Sequence, residues 1–133
     1  METQVSDPVE VLVLDDEPLV GKRLSLVLGK VGCRVEAFDD PHRALARLDE
    51  KRFDIVITDV VMGEVDGIQV LERVRARWPA AKVIIITAYA MMSMARKAME
   101  RGAFDFVAKP FEPSELRAVV ARAARALGRK IEE

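Results

Sequence analysis

A chain of 133 residues, half of them hydrophobic and 32% charged, is long enough for one domain with a buried core and too short for two. Its 21 basic and 22 acidic side chains leave a net charge of -1, which excludes a general electrostatic attraction to nucleic acid or to an anionic membrane surface. One cysteine and one histidine exclude an internal disulfide, a multi-cysteine metal site and a paired-histidine site, so the chemistry has to run on carboxylates, hydroxyls and lysine.

Residues 1–8 read as a tail with an acidic start and no secretory character, and no apolar run approaches a membrane span, so a cytoplasmic location is expected. Val9 to Leu14 is a β-branched apolar run and predicts a strand. Val20, Leu24, Val27, Leu28 and Val31 then recur at helical spacing, with Gly32 as the expected C-cap. Cys33 to Phe38 predicts the second strand, with Cys33 as a small apolar strand residue. Asp40-Pro41 is a capping acid followed by proline at the first helical position; Ala44, Leu45 and Leu48 face inward behind it, and His42 is expected to be exposed.

Asp54 to Thr58 predicts the third strand, and Asp66 with Gln69 three residues on opens a helix that carries Val70, Leu71, Val74 and Trp78 up to Pro79. Lys82 to Ile86 predicts the fourth strand. Met91, Met94, Ala95, Ala98 and Met99 form the expected inner stripe of the next helix, which leaves Met92 as the methionine available to a partner. Phe104 to Val107 predicts the fifth strand, and Leu116, Val119, Val120, Ala123 and Leu127 the last helix, continuing past Leu127 toward Glu133 as an extension or tail over residues 128–133. The domain proper is therefore expected over residues 9–127. Strands alternating with helices through short connections define a doubly wound α/β fold with a five-stranded parallel sheet covered on both faces.

In such sheets ligands bind beyond the carboxyl ends of the strands. Strand one ends in Asp15-Asp16-Glu17, strand three in Thr58-Asp59, strand four in Thr87, and strand five leads to Lys109-Pro110. Three aspartates crowded at one rim repel one another; two unit charges about 4 Å apart cost about 4 kcal/mol at an effective dielectric near 20. A raised pKa, the Lys109 ammonium or a divalent cation would offset that cost. An all-oxygen donor set favours a hard ion, with Mg²⁺ the first choice. Carboxylate, cation, lysine and hydroxyl together suit transfer of a phosphoryl group to a carboxylate, and Asp59, alone on the central strand, is the natural acceptor.

These segments resemble the receiver domain of two-component response regulators. The resemblance is carried by Val11-Leu12-Val13-Leu14-Asp15-Asp16-Glu17, by Thr58-Asp59-Val60-Val61-Met62 with Asp66-Gly67 after it, by Ile86-Thr87-Ala88, and by Gly102-Ala103-Phe104-Asp105-Phe106 leading to Lys109-Pro110-Phe111. It implies a sheet of order 2-1-3-4-5, an order known for a member of that family. It also implies Asp59 as phosphoacceptor and Asp16, Asp59 and the Val61 carbonyl as Mg²⁺ ligands, with Asp15 acting through water. Thr87 and Lys109 would bind the phosphoryl group, Phe106 would act as the switch aromatic, and the bond before Pro110 would be cis. The partners implied are a sensor histidine kinase or phosphotransfer protein and an output domain or effector, with a homodimer possible and no direct contact with nucleic acid or membrane.

Gly63 stands where the family commonly has proline, and Phe106 lacks the hydroxyl of the more usual tyrosine, so burial alone has to drive that residue. Val61 and Tyr89 flank the expected path of hydrolytic water without an acid or amide to orient it, which predicts a slowly hydrolysing aspartyl phosphate. The basic residues Arg117, Arg122, Arg125, Arg129 and Lys130 of the last helix read as its solvated face. Three other functions remain open at this point: a Mg²⁺ phosphohydrolase with an Asp nucleophile, a receiver that binds partners without phosphorylation, and a flavin carrier of the same fold class. The adjacent Asp15-Asp16 pair speaks against the first, the intact acid set against the second, and acids in place of a Ser/Thr/Gly-rich phosphate loop against the third. At this length the chain is expected to be either a stand-alone regulator or a piece of a longer one.

Overall fold

The period-two alternation of the apolar runs and the longer period of the segments between them resolve into ten principal elements. In the computed structural model, which describes residues 7–63 and 65–132, these are β1 (Val9–Leu14), α1 (Pro18–Gly29), β2 (Cys33–Phe38), α2 (Pro41–Glu50), β3 (Ile55–Asp59), α3 (Gly67–Arg77), β4 (Lys82–Ala88), α4 (Met92–Glu100), β5 (Asp105–Lys109) and α5 (Pro113–Ala126). A 3-10 turn over Tyr89–Met91 precedes α4. All strand pairs are parallel, as the alternation of strands and helices predicts, and the order is β2-β1-β3-β4-β5, as the resemblance implies. Most of the expected tail, residues 1–6, lies outside the described residues.

Alternation along the strands divides the core in two. Val9, Val11, Val13, Ile55, Ile57, Ile84, Ile86 and Val107 face Leu24 and Leu28 of α1 and Leu116, Val120 and Ala123 of α5. Leu12, Leu14, Val56, Val83 and Ile85 face Leu48 of α2, Leu71 and Val74 of α3 and Ala98 of α4. Strands apolar on both faces belong to a sheet with helices on both sides, and burying each such side chain contributes roughly 1.5–3 kcal/mol.

The helix starts follow their sequence signals. Asp40 accepts from the His42 amide at 2.9 Å, with Pro41 in the first turn of α2 and His42 exposed. Asp66 and Gln69 form a reciprocal capping box, each side chain accepting the other's amide at 2.9 Å. Several ends differ from expectation. α1 stops at Gly29, and Gly32 sits in the turn before β2 with φ 98° rather than capping the helix. Met99 is exposed, not part of the inner stripe of α4; Ala95 and Ala98 are the fully buried residues there, and Met91, Met92 and Met94 are half-buried. α5 ends at Ala126 instead of running on, because Gly128 takes φ 74°, and the residues after it are not a free tail: Ile131 is buried against the α1–α5 side of the core.

Cys33 opens β2 as a buried residue, and burial, reinforced by the negative charge of Asp54, pushes its thiol up to about 11. Since the thiolate is the nucleophile, the folded chain should resist iodoacetamide at pH 8 and react fully in guanidinium, as read by mass spectrometry of the two samples. Rapid alkylation of the folded chain would contradict this placement of β2.

Candidate functional site

Parallel strands bring their carboxyl ends to one edge, and the register sets which residues meet there. Asp59, the last residue of β3, lies opposite Ile86 of β4, while Thr87 and Ala88 lie opposite Ala108 and Lys109 of β5. β3, β4 and β5 each run one or two residues further than the apolar runs suggested, so Asp59, Thr87 and Lys109 are held by ladder hydrogen bonds rather than by loops.

Asp15, Asp16 and Asp59 converge: each offers a carboxylate oxygen, and these oxygens all lie within 4.8 Å of one another. The Asp15 side chain is completely buried and that of Asp59 is 14% exposed, whereas Asp16 opens to solvent. Lys109 reaches into the group. Its Nζ donates to Asp15 Oδ2 at 2.7 Å and to Asp59 Oδ2 at 3.1 Å, and lies 3.6 Å from Glu17 Oε1. The other oxygen of Asp15 accepts from the Glu17 amide at 2.9 Å. The Lys109-Pro110 bond is cis, as expected.

Burial raises the pKa of Asp15, against the lowering pull of Lys109 and of the Glu17 amide. For Lys109 burial acts in the opposite sense, but its hydrogen bonds to Asp15 and Asp59 and their negative charge outweigh it and hold the ammonium above its ordinary range. The lysine therefore stays charged through neutral pH, and its stabilising contribution is lost only as pH rises through that raised value. Three carboxylates still face one ammonium, so the site keeps an excess of negative charge. Its donors are all hard oxygens with neither imidazole nor thiolate among them, a set that fits a small divalent cation of the Mg²⁺ kind.

The other expected site residues lie close by in different roles. The Val61 amide donates to Asp59 Oδ1 at 3.3 Å, and the residue is 44% exposed. Thr87 is fully buried, and its hydroxyl donates to the carbonyl of Ala88 at 3.1 Å and to that of Met91 at 3.4 Å. Phe106 is half-buried against the α2–α3–α4 side of the core. The side chain of Tyr89, expected beside the water path, lies outside the described residues.

Two features of the site carried no assigned role in the sequence. Glu17 adds a further anion beside Lys109. Gly67, legible only as a helix start after Asp66, lets α3 approach the end of β3: a Cβ there would stand 2.5 Å from the Asp59 carbonyl oxygen and 2.9 Å from Val60 Cα. The Gly67 amide donates to the Val60 carbonyl at 2.9 Å, the Val60 amide to that of Ile86 at 3.2 Å, and Val60, Met62 and Val65 are buried, so the loop after Asp59 is pinned from both sides. Gly63, in place of the family's proline, occupies the turn of that loop with φ 71°, a conformation proline cannot adopt.

The response regulator receiver domain family matches residues 11–121, and the chain belongs to that family, the receiver domains of two-component systems. Among curated relatives, the transcriptional regulatory protein ZraR of Escherichia coli K12 is 35% identical over 117 residues, 88% of this chain but 26% of the relative. The transcriptional regulatory protein FixJ of Bradyrhizobium diazoefficiens is 35% identical over 115 residues, 86% of this chain and 56% of the relative. The chain thus spans only part of the length of these regulators. Of solved structures, a response regulator receiver domain protein from Clostridium thermocellum superposes with a TM-score of 0.85 at 27% identity, covering 90% of this chain and 97% of that one. Full-length FixJ from B. japonicum gives 0.83 at 33% identity, covering 90% of this chain and 59% of that one. Among the described residues no helix is long and apolar enough to cross a membrane.

Replacing Gly67 with alanine should force α3 away from the end of β3. The expected cost is about 1–3 kcal/mol of overpacking in urea unfolding, with chemical-shift changes centred on the Asp59 and Val60 amides. An unperturbed Asp59 amide would show that the close approach does not fix the loop.

Proposed function

We propose that this domain is a phosphorylation-activated switch that accepts a phosphoryl group on Asp59. The observation that carries the reading is a nearly buried carboxylate at the end of the central strand, 3.1 Å from the Lys109 ammonium and beside two further aspartates. In the transfer an Asp59 oxygen forms the new P–O bond as the P–N bond of a partner's phosphohistidine breaks, and the imidazole nitrogen leaves with the bonding pair. Lys109 already contacts the acceptor carboxylate and is placed to pair with a phosphoryl oxygen. Asp16, Asp59 and the Val61 carbonyl are the residues that would hold Mg²⁺, with Asp15 acting through water; the bound ion supplies neutralisation of charge on the transferred group.

The output follows from the added charge. A phosphoryl group brings about 1.5–2 negative charges and three acceptor oxygens, which compete for the Thr87 hydroxyl against the carbonyls of Ala88 and Met91. Once the hydroxyl turns, Phe106 gains room to move further inward, and the surface of α4, β5 and α5 changes its partner preference. On this reading the donor is a sensor histidine kinase or phosphotransfer protein in the cytoplasm, and the recipient is an output domain or effector. A homodimer is one form that recipient surface could take. The domain acts on itself rather than on a separate substrate.

Acetyl phosphate with Mg²⁺ should add the mass of one phosphoryl group to the wild-type chain and none to Asp59→Ala. Turnover of phosphate esters would instead favour a phosphohydrolase, and absence of labelling a receiver that works unphosphorylated; a yellow flavin chromophore would favour a flavin carrier. Mg²⁺ alone should raise the unfolding temperature by mass action, and Asp16→Asn should remove most of that increase. An unchanged response in the variant would dissociate Asp16 from the ion.

With exposed Val61 two residues beyond the acceptor and Tyr89 two beyond Thr87, no acid or amide at those positions orients attacking water. Phosphate loss from the isolated domain in Mg²⁺ should therefore take minutes or longer, followed by mass spectrometry after removal of the donor. Loss within seconds would overturn this account of the acyl phosphate's lifetime.

A further inference from the structure

The C-terminal residues past α5 are more tightly held than a tail requires. α5 closes with a paired motif in which the Gly128 amide donates to the Arg125 carbonyl at 2.9 Å and the Arg129 amide to that of Ala124 at 2.8 Å, with Gly128 at φ 74°. The chain then turns back across the end of the sheet opposite the acidic cluster. Arg129 pairs with Asp54 at 3.3 Å, ahead of β3, and donates to the carbonyls of Asp7 and Pro8, ahead of β1. Ile131 is buried in the α1–α5 side of the core, and the Glu132 amide donates to the Val31 carbonyl just beyond α1 at 2.9 Å. Five residues thus tie together α1, α5 and the starts of β1 and β3.

The same residues carry a second pattern. Leu116, Val120, Ala124, Leu127 and Ile131 follow one another at intervals of three and four, so Ile131 prolongs the apolar stripe of α5 in helical register. Gly128 interrupts it in the left-handed conformation, with φ 74°, and a Cβ there would meet nothing within 4 Å, so a side chain at this position is opposed by backbone conformation alone.

We propose that Gly128–Glu132 is a two-position strap: clasped across the base of the sheet as seen here, or continuing α5 as helix with Ile131 withdrawn from the core, the choice being set by the left-handed conformation of Gly128. In the clasped position the end of α5 is fixed to α1 and to the sheet. In the helical position that end is released, and Leu127 and Ile131 are presented together.

The test uses the full chain with Gly128→Ala and Gly128→Asn. Alanine is disfavoured at positive φ and favoured in helix, so both effects push the same way. Asparagine tolerates the left-handed conformation, so it separates backbone preference from the mere presence of a side chain. In Gly128→Ala the exchange protection of the Glu132 amide should fall on the order of tenfold to a hundredfold, and carbon chemical shifts over residues 128–131 should become helical. Gly128→Asn should keep the protection and the non-helical shifts. Retained protection in the alanine variant would overturn the proposal, as would loss of protection without helical shifts, which denotes fraying, or an asparagine variant that behaves like alanine. Thermal unfolding should stay a single cooperative transition in both variants, lowered in Gly128→Ala by the loss of Ile131 burial and near wild type in Gly128→Asn, which verifies that the rest of the domain is intact.

Discussion

The interaction on which the site depends is the reach of one lysine into a group of like-charged acids. Asp15, Asp16 and Asp59 are delivered to the same edge because parallel strands share a direction, and their mutual repulsion is what the Lys109 ammonium, at 2.7 and 3.1 Å from two of them, offsets. A partly buried ion pair of this kind adds little net stability, because desolvation cancels much of the attraction. What it secures is arrangement. Asp15 is taken out of water entirely, Asp59 keeps a small opening, and Asp16 faces solvent, so three chemically identical side chains acquire three environments.

That arrangement has to be supported from below and from the side. Below, the two sets of strand residues pack against different helices, and neither β3 nor β4 can slip by one residue without exchanging its buried faces. From the side, the loop after Asp59 is held between β4 and the start of α3, where Gly67 allows backbone to approach backbone. Asp59 thus sits where a rigid sheet ends and a pinned loop begins. The role proposed for Asp59, acceptor in a nucleophilic displacement, would need fixed geometry and access, and the 14% exposure of its side chain supplies the second without giving up the first.

Much of this was legible before any coordinates. The β-branched runs, the Asp40-Pro41 and Asp66-Gln69 signals and the acids at strand ends all act through local chemistry, which a sequence displays directly. Strand ends were less legible, because Thr87, Ala88 and Lys109 are polar or small and owe their extended conformation to the ladder rather than to their own preference. Met99 falls outside the inner stripe because helical spacing fixes a face only to within part of a turn: Ala95 and Ala98 are the buried residues of α4, Met91 and Met94 pack beside them, and Met99 lies past the edge. The closure by Gly128 was invisible for a different reason: the apolar stripe runs straight through it to Ile131, whereas the positive φ of Gly128 and the contacts of Arg129, Ile131 and Glu132 with distant parts of the chain are not written in the local pattern. The close approach at Gly67 was not legible at all, since the need for a missing side chain is a property of the neighbours, Asp59 and Val60, and not of the residue itself.

If the domain switches as proposed, energetics bound how much each part could contribute. Thr87 gives its hydroxyl to neutral carbonyls at 3.1 and 3.4 Å; a hydrogen bond of that class is worth about 1 kcal/mol net, and one to a charged acceptor about 1.5–3. Exchanging one for the other therefore shifts a two-state equilibrium by roughly tenfold, whereas passing from 1:99 to 99:1 takes about 5.5 kcal/mol. The remainder has to come from Lys109, which would trade contacts among carboxylates for a phosphoryl oxygen, and from Phe106. Full burial of a phenyl side chain contributes roughly 1.5–3 kcal/mol, and Phe106 starts half-buried, so only a part of that is still available. Without a hydroxyl to hydrogen-bond at either end of its travel, Phe106 responds to space alone. On the proposed reading the hydroxyl of Thr87 and the cation of Lys109 would therefore carry most of the bias, and the aromatic residue would follow the cavity that Thr87 leaves.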